Sequence, residues 1–167
     1  MFTTIEEFEK RWQYESSTTQ AVMDALTDES LGQAVADDHR TLGRMAWHIA
    51  CAIPEITGHT GIDFGGVDPR APMPRKAREI ADGYRKFSQT LLQDVKKNWT
   101  DSTLAEEDEM YGEKWRRGFT LLIVTLHEVH HRGQMTVLMR QAGLVVPNIY
   151  GQAKEGWAAL GIPEPEV

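Results

Sequence analysis

Cysteine is almost missing from this chain: Cys51 is the only one in 167 residues. A lone cysteine excludes an intramolecular disulfide and suits a reducing compartment. Long hydrophobic runs are missing too. The longest, Leu121 to Leu126, is broken by Thr125 and falls far short of the ~20 apolar residues that cross a bilayer. The opening Met-Phe-Thr-Thr-Ile-Glu-Glu-Phe-Glu has neither the basic nor the apolar region of a signal peptide. The expectation is a cytoplasmic protein with no membrane partner. Positive charge is in deficit, with 18 Lys and Arg against 25 Asp and Glu and a net charge of −7. Nucleic acid as a partner is thereby excluded, because neutralising phosphates takes a basic face. There is no internal repeat and no low-complexity tract. Hydrophobic residues make up 41% and charged residues 26%, a balance that excludes disorder and indicates one domain over 1–167.

What the chain does have is helical periodicity. Ile5, Phe8, Trp12, Val22 and Leu26 fall on one stripe of a helix from about Thr4 to Leu26. Thr3 or Thr4 caps it, with Glu6 or Glu7 as the capping-box partner. Glu15 and Thr19 lie on the same stripe, and Glu15 is read as partly exposed at its edge. The alternative makes Glu15 a partner of a ligand histidine. A second helix spans about Thr41 to His59, with Leu42, Met45, Ile49, Ala52, Ile53 and Ile56 on its apolar face. Pro54 should kink it or end it a turn early. The Pro- and Gly-rich stretch Gly61–Pro74 is long enough to cross the end of a bundle, so the next helix can run parallel. That helix, about Arg75 to Asn98, carries Ile80, Tyr84, Phe87, Leu91 and Val95. A polar connection follows to Arg117, with room for a short strand or turn. The fourth helix, Gly118 to Ala142, begins apolar nearly all round, which predicts a buried first half. Gly143 caps it and Pro147 blocks extension. Gln152 to Leu160 reads as a short closing helix. The fold class is all-α, a four-helix bundle with a short additional C-terminal helix.

The chemistry sits in the fourth helix, in His127-Glu128-Val129-His130-His131-Arg132-Gly133-Gln134. Residues four apart on a helix lie ~40° apart around its axis, so His127 and His131 can face one ion. His48 flanks the apolar face of the second helix and supplies a third nitrogen. Three nitrogens with positions left open make a site for a divalent metal that binds water or substrate. His130 points elsewhere and is read as exposed. Cys51 is read as core, three residues from His48. Glu128, Glu15 and Glu55 are the candidate catalytic bases, with Glu128 expected to be solvated. Arg132 is the candidate for holding an anionic group of a small-molecule substrate, or else simply pairs with an acid. Gly133, costly in a helix, suggests close packing beside the ligands. The residues also spell H-E-x-x-H, the zincin pattern. That reading is set aside: no histidine follows His131, only Glu155, Glu164 and Glu166, and strands for a substrate cleft are missing.

The His127–Gln134 run, followed by Leu138, Arg140 and Gly143, resembles the H-x-x-x-H-R-G-Q signature of the DinB/YfiT-like metalloprotein family. Leu42–Ala50 resembles that family's first-histidine helix, and Val146–Gly151 its C-terminal segment. The resemblance implies an up-down-down-up bundle, zinc or nickel held by His48, His127 and His131, and a homodimer. Relatives in that family include bacillithiol or mycothiol S-transferases, a mycothiol-dependent isomerase and metal-dependent hydrolases. The isomerase branch carries Glu where this chain has His127, so its activity is not carried over. Three functions follow as expectations. They are a metal-dependent enzyme that activates a low-molecular-weight thiol cosubstrate for S-transfer to a small electrophile, a metal-dependent hydrolase, and a non-catalytic metal-binding stress protein.

Overall fold

The four expected helices form. The structure, a computed structural model, describes residues 1–166. In order they are α1 (Ile5–Asp24), α2 (Leu42–Thr57), α3 (Ala77–Asn98) and α4 (Arg117–Gln141). Local chemistry sets their ends. Thr4 accepts the Glu7 amide at 3.2 Å and Thr41 accepts the Arg44 amide at 3.2 Å, each quenching a free donor of the first turn. The Glu7 carboxylate accepts from the Thr3 amide rather than from Thr4. Gly143 ends α4 with φ 75°, and the Leu144 amide reaches back to the Met139 carbonyl at 2.9 Å, closing a Schellman turn. Pro54 does not end α2 early. The helix runs on to Thr57 and tightens into a 3₁₀ turn over Gly58–Thr60.

Three departures from the expected elements have simple causes. The polar connection after α3 holds a two-stranded antiparallel hairpin, β1 (Glu107–Met110) and β2 (Glu113–Arg116), turned by Tyr111 and Gly112 at positive φ. The closing helix α5 is only Gly156–Ala159. The first half of α4 is not buried all round: Leu126 is 51% exposed, and Phe119, Leu122 and Ile123 are half-buried. A helix in a four-helix bundle has neighbours on two sides only, so one apolar flank stays open.

Specific contacts fix the helix directions. Phe2, just before α1, bonds Gly118 at the start of α4, while Thr19 of α1 meets Arg132 of α4; α1 and α4 are parallel. Ile5 bonds Asp101 beyond the end of α3, and Asp28 after α1 bonds Ala77 at the start of α3; these two are antiparallel. Glu55 near the end of α2 bonds Tyr111 just ahead of α4, and Gln33 before α2 reaches Gln141 at the end of α4. So α2 opposes α4 and runs with α3. The order is up-down-down-up, with α2 and α4 side by side and α1 packed on α3 and α4. The core between them holds Phe8, Trp12, Ile49, Ile53, Ile80, Tyr84, Leu91 and Leu121. Trp47 Nε1 donates to the Ala71 carbonyl at 3.2 Å and ties the long 61–76 connection to α2.

Candidate metal centre

The antiparallel contact of α2 with α4 brings the three sequence-predicted histidines together. Their candidate ligand atoms lie within 4.8 Å of one another, a group that can hold a metal ion. Ring centroids are 4.9 Å apart for His48 and His127, 4.7 Å for His48 and His131, and 4.5 Å for His127 and His131. His48 Nε2 and His131 Nε2 are 3.2 Å apart. Two nitrogens each ~2.0–2.1 Å from a tetrahedral ion stand about 3.3 Å apart, so this spacing fits a shared ion. His131 Nδ1 donates to Gln134 Oε1 at 2.7 Å. That bond turns the ring and leaves its Nε2 as a bare lone pair, the usual arrangement around a ligand histidine. Buried His127 Nδ1 has no hydrogen-bond partner. The donor set, three imidazoles and no carboxylate, suits a first-row divalent ion.

Electrostatics prepares the rings for ligation. Burial pulls His48 down to about 4, helped by the positive charge of Arg40 and then by the neighbouring histidines. Burial also pulls His127 to about 4, with His131, His130 and Arg40 adding to it. His131 is lowered by burial, opposed by its bond to Gln134. All three are therefore neutral near pH 7, and no proton competes for the lone pairs.

Arg40 is a residue the sequence reading missed. It sits in the 33–41 connection, immediately before the cap Thr41, and no sequence signal marks it. Cys51 is buried, as expected, and its thiol is pushed up to about 11 by that burial, so it stays protonated.

Two of the three candidate bases are buried, and Arg132 pairs with an acid instead of facing a substrate site. Glu128 is 1% exposed rather than solvated. Its Oε1 accepts from Thr19 and its Oε2 from Tyr84, both at 2.8 Å. Burial raises its carboxyl to about 7, against the opposing pull of those two bonds. Glu15 is likewise buried rather than partly exposed. Arg132, 1% exposed, donates Nη2 to Glu15 Oε2 at 2.8 Å and Nη1 to the Glu15 carbonyl and Thr19 Oγ1 at 3.0 Å. Tyr150 also donates to the Glu15 carboxylate at 2.8 Å, and its ring lies 5.3 Å from the Arg132 guanidinium. Buried charges persist only when paired and hydrogen-bonded, and here α1 and α4 supply each other's partner. The network clamps α4 to α1 on a face about 100° round the helix from the histidines. Neither Glu15 nor Glu128 bonds a ligand ring. Gly133 is exposed, with open space where a Cβ would stand, so it does not mark close packing.

Glu55 alone of the three acids faces open space near the cluster. It lines a cavity of about 780 Å³ together with His48, Cys51, His59, Asp68 and Arg70. Tyr111 donates to its Oε1 at 2.7 Å. No helix among the described residues is long and apolar enough to cross a membrane.

Histidines from two adjacent helices converging on one point define a helical-bundle protein with a group that could hold a metal ion, and comparison with known proteins gives the family. Residues 1–166 match the DinB family, and the chain belongs to it. It is 46% identical over its whole length, and over the whole of the relative, to the uncharacterized protein YrdA of Bacillus subtilis (strain 168). A crystallised DinB-like protein from Bacillus cereus ATCC 10987 is similar at 47% identity with a TM-score of 0.86, covering 90% of this chain and 100% of that one. The DinB-like protein YjoA of Bacillus subtilis shares the fold at 18% identity and a TM-score of 0.66, over 87% of this chain and 98% of that one.

Proposed function

We propose that this protein is a metal-dependent enzyme that activates a low-molecular-weight thiol for transfer to a small electrophile. In this reading His48, His127 and His131 hold a zinc or nickel ion. Such an ion lowers the pKa of a bound thiol and so supplies a sulfur nucleophile at neutral pH. The observation that carries the reading is the opening of a neutral three-histidine cluster, through His48, onto a polar cavity of about 780 Å³. That volume lies within the ~300–1,000 Å³ typical of small-molecule sites. The thiol loses its proton to solvent through the open cavity. Its sulfur forms a bond to the electrophilic carbon, and the bond from that carbon to the leaving group breaks. A thiol prepared in this way needs no strong base beside it. That agrees with the enclosure of Glu15 and Glu128 in hydrogen bonds of their own.

Hydrolysis is the second reading. One observation favours it: Glu55 lines the same cavity as His48, and in this reading it takes a proton from an attacking water. The test is elemental analysis of tag-free protein beside a His131→Ala variant, followed by assays of the metal-loaded protein. Conjugation of a thiol to a bimane-type electrophile, lost in the variant, supports transfer. Ester or amide turnover that falls in Glu55→Gln supports hydrolysis. Bound metal with neither activity leaves the non-catalytic reading.

A further inference from the structure

The histidine cluster has a second opening, different in character from the first. Beyond His131, toward the N-terminal end of α2, lies a slot of about 370 Å³ between the 33–41 connection and α4. Val35, Met45, Val137 and Leu138 form its apolar walls, and His39, Arg40 and Gln134 also line it. Val35 and Val137 are 59% and 54% exposed, so apolar surface is held open to solvent on both sides of the slot. The larger cavity, by contrast, lies toward the C-terminal end of α2 and is lined by Glu55, His59, Asp68 and Arg70. One cluster of ligands therefore borders a polar space through His48 and an apolar one through His131.

Arg40 gives the slot its charge. It joins none of the ion pairs of the described residues, although Asp37 and Asp38 precede it in sequence. Arg132, Arg117 and Arg140 are paired, with Glu15, Asp108 and Glu155; Arg44, Arg70 and Arg75 stand outside the ion pairs as Arg40 does, but of these four only Arg40 lines the apolar slot. In a chain of net charge −7, an unpaired guanidinium beside an apolar slot is a local reversal of sign. The molecule complementary to it has an apolar body and one anionic head.

We infer that the smaller slot binds a small organic carboxylate, with its apolar body on Val35, Met45, Val137 and Leu138 and its carboxylate on Arg40. The inference rests on the function proposed above, for which it names the acceptor: an electrophile that carries a carboxylate, delivered to the histidine cluster from the side opposite the thiol. Guanidinium and carboxylate match as a planar, charge-assisted pair, and the apolar walls add burial of the body. The division also gives two chemically different substrates separate routes to one centre, as a transfer reaction needs.

The test reads binding, not turnover. Zinc-loaded and metal-free protein are titrated with hexanoate and with hexanamide, its uncharged isostere, and backbone amide shifts are followed by NMR. Hexanoate is expected to bind about tenfold or more tighter than hexanamide in both forms, the factor that one charge-assisted contact supplies. Arg40→Gln should remove that preference and leave hexanamide unchanged. Arg40→Lys should keep part of it. Val137→Trp, an exposed substitution that fills the slot, should abolish binding of both. Zinc content and melting temperature, measured for each variant, guard against loss of the site or of the fold. Equal affinity for the two probes overturns the inference. So does retention of the preference in Arg40→Gln, or shifts that cluster around Glu55 and His59. Binding of hexanoate only when zinc is present, unaffected by Arg40→Gln, means that the carboxylate is simply a metal ligand, and also overturns it. A protein that shows the Arg40-dependent preference yet transfers no thiol would refute the proposed reaction and leave the slot assignment standing.

Discussion

Replacing Arg132 by methionine isolates the clamp between α1 and α4. The guanidinium is 1% exposed and makes three hydrogen bonds, at 2.8, 3.0 and 3.0 Å, all to Glu15 and Thr19. Methionine fills much of the same volume and makes none of them. The Glu15 carboxylate then stays buried with the Tyr150 hydroxyl and one partly exposed guanidinium, that of Arg11 at 3.3 Å. Removing one partner of a buried ion pair typically costs about 3–5 kcal/mol, chiefly because the other charge is left without compensation. At ~2.1 cal/mol/K per residue, a chain of 167 residues unfolds with an entropy near 0.35 kcal/mol/K, so the expected fall in Tm is about 9–14 °C. The double variant Glu15→Leu/Arg132→Met removes both charges. It should recover most of that loss, because apolar replacement of a whole buried pair is often neutral or better. The assay is calorimetric unfolding of metal-free protein at pH 7, wild type beside both variants. A fall of less than about 3 °C in the single variant, or a double variant no more stable than the single one, would refute the claim that uncompensated charge is what the pair prevents.

Three other outcomes are expected. In the metal-free protein the histidine rings are neutral when folded, at about 4 for His48 and His127 against an ordinary 6.5. The unfolded chain therefore binds more protons between those values, and this part of the stability is lost as pH falls from 6.5 toward 4. Glu128, raised to about 7 from 4.5, acts in the opposite sense and lowers stability as pH rises through that interval. Denaturant midpoints across pH 4–8 should show a flatter acid limb in His127→Gln and a steeper one in Glu128→Gln, which loses the opposing contribution. Gly133→Ala should raise stability by about 1 kcal/mol, or ~3 °C, because the site is helical, exposed and open where the new methyl would stand; a drop in Tm would show that something packs there. Gly118→Ala should do the reverse, since its Cβ would meet the Phe2 carbonyl oxygen at 2.2 Å. Forcing these backbones apart is expected to cost about 1–3 kcal/mol, together with loss of the hydrogen bond from the Phe2 amide to the Gly118 carbonyl.

The division between what was legible in the sequence and what was not follows the range of the interactions. Helix geometry is local, so apolar periodicity located α1 to α4. Thr4, Thr41 and Gly143 marked three of their ends through contacts spanning three to five residues. The spacing of His127 and His131 is local in the same sense, and it placed both rings on one face before any packing was known. Their convergence with His48 required only that α2 lie against α4.

Polar residues on interior faces could not be assigned this way. Glu128 and Arg132 are also four apart on α4, like the histidines, yet their face meets α1. There they join Thr19 and Glu15, which lie more than a hundred residues away in sequence. Which face of α4 meets α1 and which meets α2 depends on the order of the helices in the bundle and on their axial register. That is why Glu128 reads from the sequence as solvated and Arg132 reads equally as a substrate ligand or as the partner of an acid, while in the fold both are buried struts. Arg40 shows the converse. Nothing in its neighbourhood in the chain marks it, and only the path of the 33–41 connection across the bundle brings its charge to the histidines. The sequence by itself determined the helices, their caps and the facing histidine pair, because those obey the 3.6-residue repeat. The tertiary structure decided which charges are neutralised inside and which remain free at the site, because that depends on which helix faces meet.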